Sequence, residues 1–130
     1  MEPRIVIVAK ESSLWTQLAH HLRQEGFAVS ATEREEKVDA LLSGSGRRLL
    51  LLGLEGLKRE GIAILRWVRA RYPQVAVITI NAGQQLDLSI EAMRLGAFDD
   101  FLIPFDLDGL MACIHKALNK TATRPGKEKP

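Results

Sequence analysis

Short apolar runs and amphipathic segments take turns along this chain, and that alternation constrains the fold more than any other feature. Ile5–Val8 is a β-branched run that reads as a strand buried on both faces. Ser12 or Ser13 then offers an N-cap for a helix through Gln24, with Leu14, Leu18 and Leu22 on one stripe and Gly26 ending it. Phe27–Ser30 reads as a second strand, and Glu35–Leu42 as a short helix closed by Ser43-Gly44-Ser45-Gly46. Leu49–Leu52 is the third strand. Ile62–Arg71 predicts a helix with Ile64, Leu65 and Val68 facing inward, and Pro73 stops it. Val75–Ile80 and Phe98–Leu102 read as further strands, separated by a helix over Asp87–Leu95 that Gly96 ends. Asp106 or Asp108 can cap a last helix running to about Asn119.

Strands that are continuously apolar and separated by helices imply an α/β fold with a parallel sheet covered on both sides. Five strands and five helices with right-handed crossovers give a doubly wound three-layer sandwich. In such sheets chemistry lies beyond the C-terminal ends of the strands. The segments to inspect are therefore Ala9–Glu11, Gly53–Glu55, Asn81–Gly83 and Leu102–Pro104. A length of 130 residues suits one domain, read as residues 1–120, with 121–130 as a flexible tail or linker stub because it holds two prolines and a glycine and no large apolar side chain.

The loop segments, in this order, resemble the receiver domain of two-component response regulators. Ile5–Glu11 is similar to the family's first strand with its acidic turn, and Leu52-Gly53-Leu54-Glu55-Gly56 to the segment that bears the acceptor aspartate. Gly61 falls eight residues past Gly53, where the family keeps a glycine. Ile90-Glu91-Ala92-Met93-Arg94-Leu95-Gly96-Ala97 resembles the fourth helix and its exit glycine, and Ile103-Pro104-Phe105 resembles the Lys-Pro-Phe after strand 5. The similarity runs from about Arg4 to Leu118. It implies a flavodoxin-like receiver fold with strand order 2-1-3-4-5 and a cis peptide bond between Ile103 and Pro104.

The departures from the family pattern are chemical. A receiver uses a carboxylate nucleophile, an acid pair to seat Mg²⁺, a hydroxyl and a lysine for the phosphoryl group. Matched by position, the acid pair falls on Ala9 and Lys10, the nucleophile on Gly53, the hydroxyl on Asn81 and the lysine on Ile103, with Pro104 following. The family's pocket is net negative, whereas these positions carry one positive charge; Glu11, Glu55 and Glu60 offset some of it without forming a facing set of ligands. Read singly, Gly53 is a turn glycine supplying strained backbone, Lys10 a solvated loop residue, Asn81 a turn residue and Ile103 part of the core. Read together they imply a pseudo-receiver with a degenerate phosphorylation pocket, no metal, no cofactor and no catalytic residues.

The resemblance also implies a partner surface. In the family the face of the fourth helix, fifth strand and last helix mediates dimerisation and output, and here it would present Glu91, Arg94, Asp99, Asp100 and Lys116. Such mixed charges suit reciprocal ion pairs with a protein partner or in a two-fold homodimer. The family's aromatic switch position falls on Asp100, one residue before Phe101. Two alternatives stay open. One is a phosphorylatable regulator with a displaced acceptor among Glu55, Asp99 and Asp100; the other is a domain that binds a small anion through Lys10 and loop N–H groups.

Other classes have weaker support. A net charge of +2 is too balanced to argue for nucleic acid, and no apolar run is long enough to span a bilayer. Met1–Arg4 leads straight into a strand, so no signal peptide is expected, and a single cysteine fits a reducing cytoplasm. His20 and His21 diverge on a helix, His115 has no visible partner, and Cys113 reads as a small buried hydrophobe. Trp15 and Trp67, on different helices, are each either core edge or exposed contact. A protein-interaction module in signal transduction is the leading expectation, and an enzyme the least favoured.

Overall fold

The computed structural model describes residues 3–122, with side chains through residue 119. Its elements in chain order are β1 (Arg4–Val8), α1 (Ser13–Gln24), β2 (Ala28–Thr32), α2 (Val38–Leu42), β3 (Arg48–Gly53), α3 (Leu54–Leu57), α4 (Arg59–Arg71), β4 (Ala76–Ala82), α5 (Leu86–Arg94), β5 (Asp99–Ile103) and α6 (Leu107–Ala122). Single 3₁₀ turns, Glu35–Lys37 and Gly83–Gln85, lead into α2 and α5. The five strands are parallel in the order β2-β1-β3-β4-β5, as the alternating pattern and the resemblance lead one to expect.

Alternation along the strands divides the core into two halves. Ile5, Ile7, Leu49, Leu51, Ile78 and Ile80 point to one face, where α1 and α6 cover them with Trp15, Leu18, Leu22, Ile114 and Leu118. Val6, Val8, Leu50, Leu52 and Val77 point to the other, beneath α2, α3, α4 and α5. The three central strands are apolar at almost every position because both faces are buried, which is why they read as runs and not as alternating residues.

Two expectations need correction. A one-turn helix, α3, follows β3 directly, so the described residues form six α-helices where five were expected. Its turn and the start of α4 at Arg59 lie in a stretch with two glycines and no N-cap side chain, so neither end carries a sequence signal. Helix α6 also runs through residues 121 and 122, which were read as tail; the rest of that tail lies outside the described residues. Ser12 does cap α1, its Oγ accepting from Trp15 N at 3.5 Å, and Asp106 caps α6, its Oδ2 accepting from Gly109 N at 3.1 Å.

Candidate functional site

The C-terminal ends of β1, β3, β4 and β5 bring Ala9, Gly53, Asn81 and Ile103 to one end of the sheet, in adjacent strands. Gly53 does not supply unusual backbone: its φ of −89° and ψ of 92° are open to any residue. What requires glycine is space. A Cβ at residue 53 would lie 2.8 Å from each of Ala9 Cβ, Glu55 Oε1 and Trp15 Cζ2. The reading of Gly53 as a turn glycine is thereby replaced by close packing of three side chains over its Cα.

Trp15 comes from the first turn of α1 and is 4% exposed. Its indole Nε1 donates to Glu55 Oε2 at 2.9 Å. The partner oxygen, Glu55 Oε1, is buried and has no hydrogen-bond partner. Indole and carboxylate thus close the space above Gly53 from the α1 side. Glu55 was a candidate from the sequence, but Trp15 was not read as part of the pocket, since only the tertiary crossing of α1 over β3 makes them neighbours.

The remaining pocket positions are engaged or apolar. Ala9 is buried, with its N–H donating to Thr32 O at 3.1 Å. Lys10 is exposed, but its stem lies against Gly56, where a Cβ would come within 2.7 Å of Lys10 Cγ. Glu11 is exposed, and its N–H donates to Glu33 Oε2 at 3.2 Å. Asn81 is fully buried and spends its amide locally: Nδ2 donates to Gln85 O at 2.7 Å and Ser89 Oγ at 3.0 Å, while Oδ1 accepts from Ala82 N at 2.8 Å. Ile103 packs on the α1–α6 half of the core, and the Ile103–Pro104 bond is cis. Among the described residues, no three His, Cys, Asp or Glu side chains are grouped to hold a metal ion. A divalent cation does not fit the groups at these positions, because Ala9, Gly53 and Ile103 offer no side-chain oxygen and Lys10 is cationic.

Comparison with known proteins places this site in a family. The model of the response regulator receiver domain matches residues 5–115. The chain belongs to the response regulator receiver domains. It is 29% identical over 113 residues to the DNA-binding transcriptional regulator NtrC of Salmonella typhimurium, a match covering 87% of this chain and 24% of that protein. NtrC of Proteus hauseri is 30% identical over 112 residues, covering 86% and 24%. The chain therefore spans about a quarter of the length of these curated relatives. A response regulator from Thermotoga maritima superposes with a TM-score of 0.76 at 25% identity, over 92% of this chain and 99% of that one. A CheY-like receiver domain protein from Methanospirillum hungatei superposes at 0.82 over 94% and 98%; at 20% identity it shows the fold alone.

Receiver membership directs attention to the face of α5, β5 and α6, and there the structure separates the five residues expected to share it. Glu91 turns away towards α4, where Arg59 grips it with both nitrogens at 2.7 and 3.1 Å and Arg66 lies at 3.8 Å. The hydrogen bond from Arg59 is the main reason its carboxyl sits below the usual glutamate range. Asp99 and Asp100 point to opposite faces of the sheet, as successive strand residues must. Asp100 accepts from Thr79 Oγ1 at 2.5 Å, while Asp99 Oδ2 lies 3.6 Å from Cys113 Sγ on α6. Arg94 and Lys116 are exposed.

What the receiver's α5–β5 face presents instead is apolar. Leu86, Ile90 and Met93 follow one stripe of α5 and are 51%, 55% and 44% exposed, and Leu102 of β5 is 38% exposed. Ile90 and Met93 flank a shallow surface groove together with Ser89 and Arg94. The spacing of 86, 90 and 93 is itself a helical stripe in the sequence. Cys113 is buried, and its thiol is pushed up to about 11, first by burial and then by the Asp99 carboxylate. No helix among the described residues is long and apolar enough to cross a membrane.

Proposed function

We propose that this receiver domain acts in signal transduction as a protein-interaction module that takes no phosphoryl group. The observation that carries the reading is the closure over Gly53: the acceptor position has no carboxylate, and Ala9, Trp15 and Glu55 fill the space one would need. The local bonding of Asn81 and the apolar Ile103 support it, because neither offers the hydroxyl or ammonium that phosphotransfer uses. On this reading no Mg²⁺ or other cofactor binds, the domain has no enzymatic activity, and it takes no covalent part in a phosphorelay. Its partners are proteins or a second copy, met through the α5–β5–α6 face in the cytoplasm, without membrane attachment or direct nucleic-acid contact by this domain. A DNA-binding output such as NtrC is named for is not assigned to these residues.

A second reading has one observation in its favour. Glu55 Oε1 is a buried carboxylate oxygen with no hydrogen bond, next to the acceptor position, and conventional regulators are among the relatives. Glu55 would then be a displaced acceptor. Incubation with acetyl phosphate and millimolar Mg²⁺, followed by intact-mass measurement, separates the two. No mass gain is expected. A gain of one phosphoryl group would overturn the proposal, and its location on Glu55 would establish the second reading.

A further inference from the structure

Between α2 and α4, on the side of the molecule away from β5, a groove has an apolar floor and acidic walls. Glu35, Glu36 and Asp39 form one wall and Glu60 the other, with Val38, Ala63 and Ile64 between them. Its larger lobe, about 470 Å³, ends at Trp67, a residue 42% exposed. That ring is held in position: the Arg71 guanidinium lies 6.0 Å from its centroid, and Tyr72 meets it edge-on, also at 6.0 Å. An exposed tryptophan whose orientation is already fixed loses little freedom on docking.

The charges are unevenly satisfied. Glu36 pairs with Arg34 at 2.8 Å, and Asp39 with Arg71 at 3.0 Å. Glu35 and Glu60 both line the groove, beside Arg34, and neither has an ion-pair partner among the described residues. Two open carboxylates beside an apolar floor call for cations flanking an apolar stripe. They disfavour nucleic acid and anionic lipid.

We propose that this groove docks a basic amphipathic helix of a partner protein. Glu60, Ala63, Ile64 and Trp67 occupy one face of α4 at helical spacing, a span of two turns or about 10 Å. A helix of three to four turns covers it, with apolar side chains on Ala63 and Trp67 above the buried Val38 and Ile64, and Lys or Arg reaching Glu35 and Glu60. The groove lies between helices and offers no free strand edge, which favours a helix over an added strand. The proposal rests on the reading of the domain as an interaction module and does not depend on whether it is phosphorylated.

The test is an anisotropy titration of the full chain with a labelled 14-residue Leu/Lys amphipathic helix, beside a scrambled peptide of the same composition. Binding is expected to weaken at least tenfold for the scrambled peptide and for Glu35→Lys combined with Glu60→Lys. It should weaken at least fivefold for Trp67→Ala and stay unchanged for Gln17→Ala, an exposed position on α1, with each variant melting at the wild-type temperature. Equal binding of the scrambled peptide, indifference to the charge reversal, or loss on Gln17→Ala would overturn the proposal. So would sedimentation showing a dimer of the chain alone that the charge reversal dissociates, since the occupant would then be a second copy. Binding that required acetyl phosphate and Mg²⁺ would uphold the groove and overturn the phosphorylation-independent reading.

Discussion

Trp15 and Glu55, forty residues apart, meet above Gly53 through a 2.9 Å hydrogen bond from the indole Nε1 to the carboxylate. The contact makes glycine the residue that fits at the end of β3, because the ring and the carboxylate oxygen both stand 2.8 Å from where a Cβ would be. The fill of the pocket and the loss of the acceptor side chain are thus one packing solution. Restoring the acceptor alone means displacing a buried indole.

Substitution at residue 53 is therefore expected to cost stability before it changes chemistry. Gly53→Ala should lose about 1–3 kcal/mol in urea denaturation, the usual cost of forcing extra volume into a close-packed site. Gly53→Asp should lose more and still gain no mass from acetyl phosphate. A Gly53→Ala protein as stable as the wild type would show that Trp15 and Glu55 move aside freely.

The pair should also behave as a unit. Among the described residues Trp15 is the one donor to Glu55, so Trp15→Phe keeps most of the ring but leaves both carboxylate oxygens without partners there. A cost of about 1–3 kcal/mol follows from leaving a buried polar group unsatisfied. In the background of Glu55→Leu the same change should cost much less, giving a coupling of about 1 kcal/mol or more in a double-mutant cycle. Additive effects would mean that the hydrogen bond contributes nothing to folding.

The sheet was legible because its strands are buried on both faces: Ile5–Val8 and Leu49–Leu52 have no other reasonable home. The register that puts Ala9 beside Gly53 follows from that. The Trp15–Glu55 contact was not legible, since it depends on how α1 crosses β3 and no local pattern encodes the crossing. Glu91 was misjudged for a related reason: on α5 it stands on the α4 side, where Arg59 takes it. The divergence of Asp99 and Asp100 was available from the two-residue strand period alone.

Acid should loosen the α2–α4 side in a defined window. Asp39 accepts from the Tyr72 hydroxyl and from Arg71 Nε, and these two bonds, in that order, hold its carboxyl below the ordinary value of 3.8. A folded-state pKa below the unfolded one means that the carboxylate contributes stability above about pH 4, and that this is lost as the pH falls through the folded pKa. Carboxyl carbon NMR should show a midpoint for Asp39 below 3.8, moving upward in Tyr72→Phe. A midpoint at or above 3.8 in the wild type would contradict the bonding described.

Cys113 is expected to resist modification. With the thiol pushed up to about 11, only about one molecule in a thousand carries the thiolate at pH 8, and the sulfur is buried as well. Iodoacetamide at pH 8 should label the folded chain at least a hundredfold more slowly than the urea-unfolded chain. Asp99→Asn should speed labelling only in part, because burial is the larger cause. Labelling of the native protein at the unfolded rate would place the thiol in solvent.

The last expectation concerns the α5–β5 face and follows from what the side chains there are. An interface of ion pairs weakens with salt, whereas burial of Ile90, Met93, Leu86 and Leu102 is insensitive to screening. Glu91 is already paired within the chain, so it is not free to answer Arg94 or Lys116 in a reciprocal charged contact. Self-association through this face should therefore survive 0.5 M salt in sedimentation equilibrium. Ile90→Asp, which sets a charge in the middle of the stripe, should raise the dimer Kd at least tenfold, as removing a central apolar anchor does. Arg94→Glu, at the margin, should change it by about threefold or less. A dimer that dissolved in salt and responded to Arg94→Glu but not to Ile90→Asp would reinstate the charged interface and leave the apolar stripe without a role in assembly.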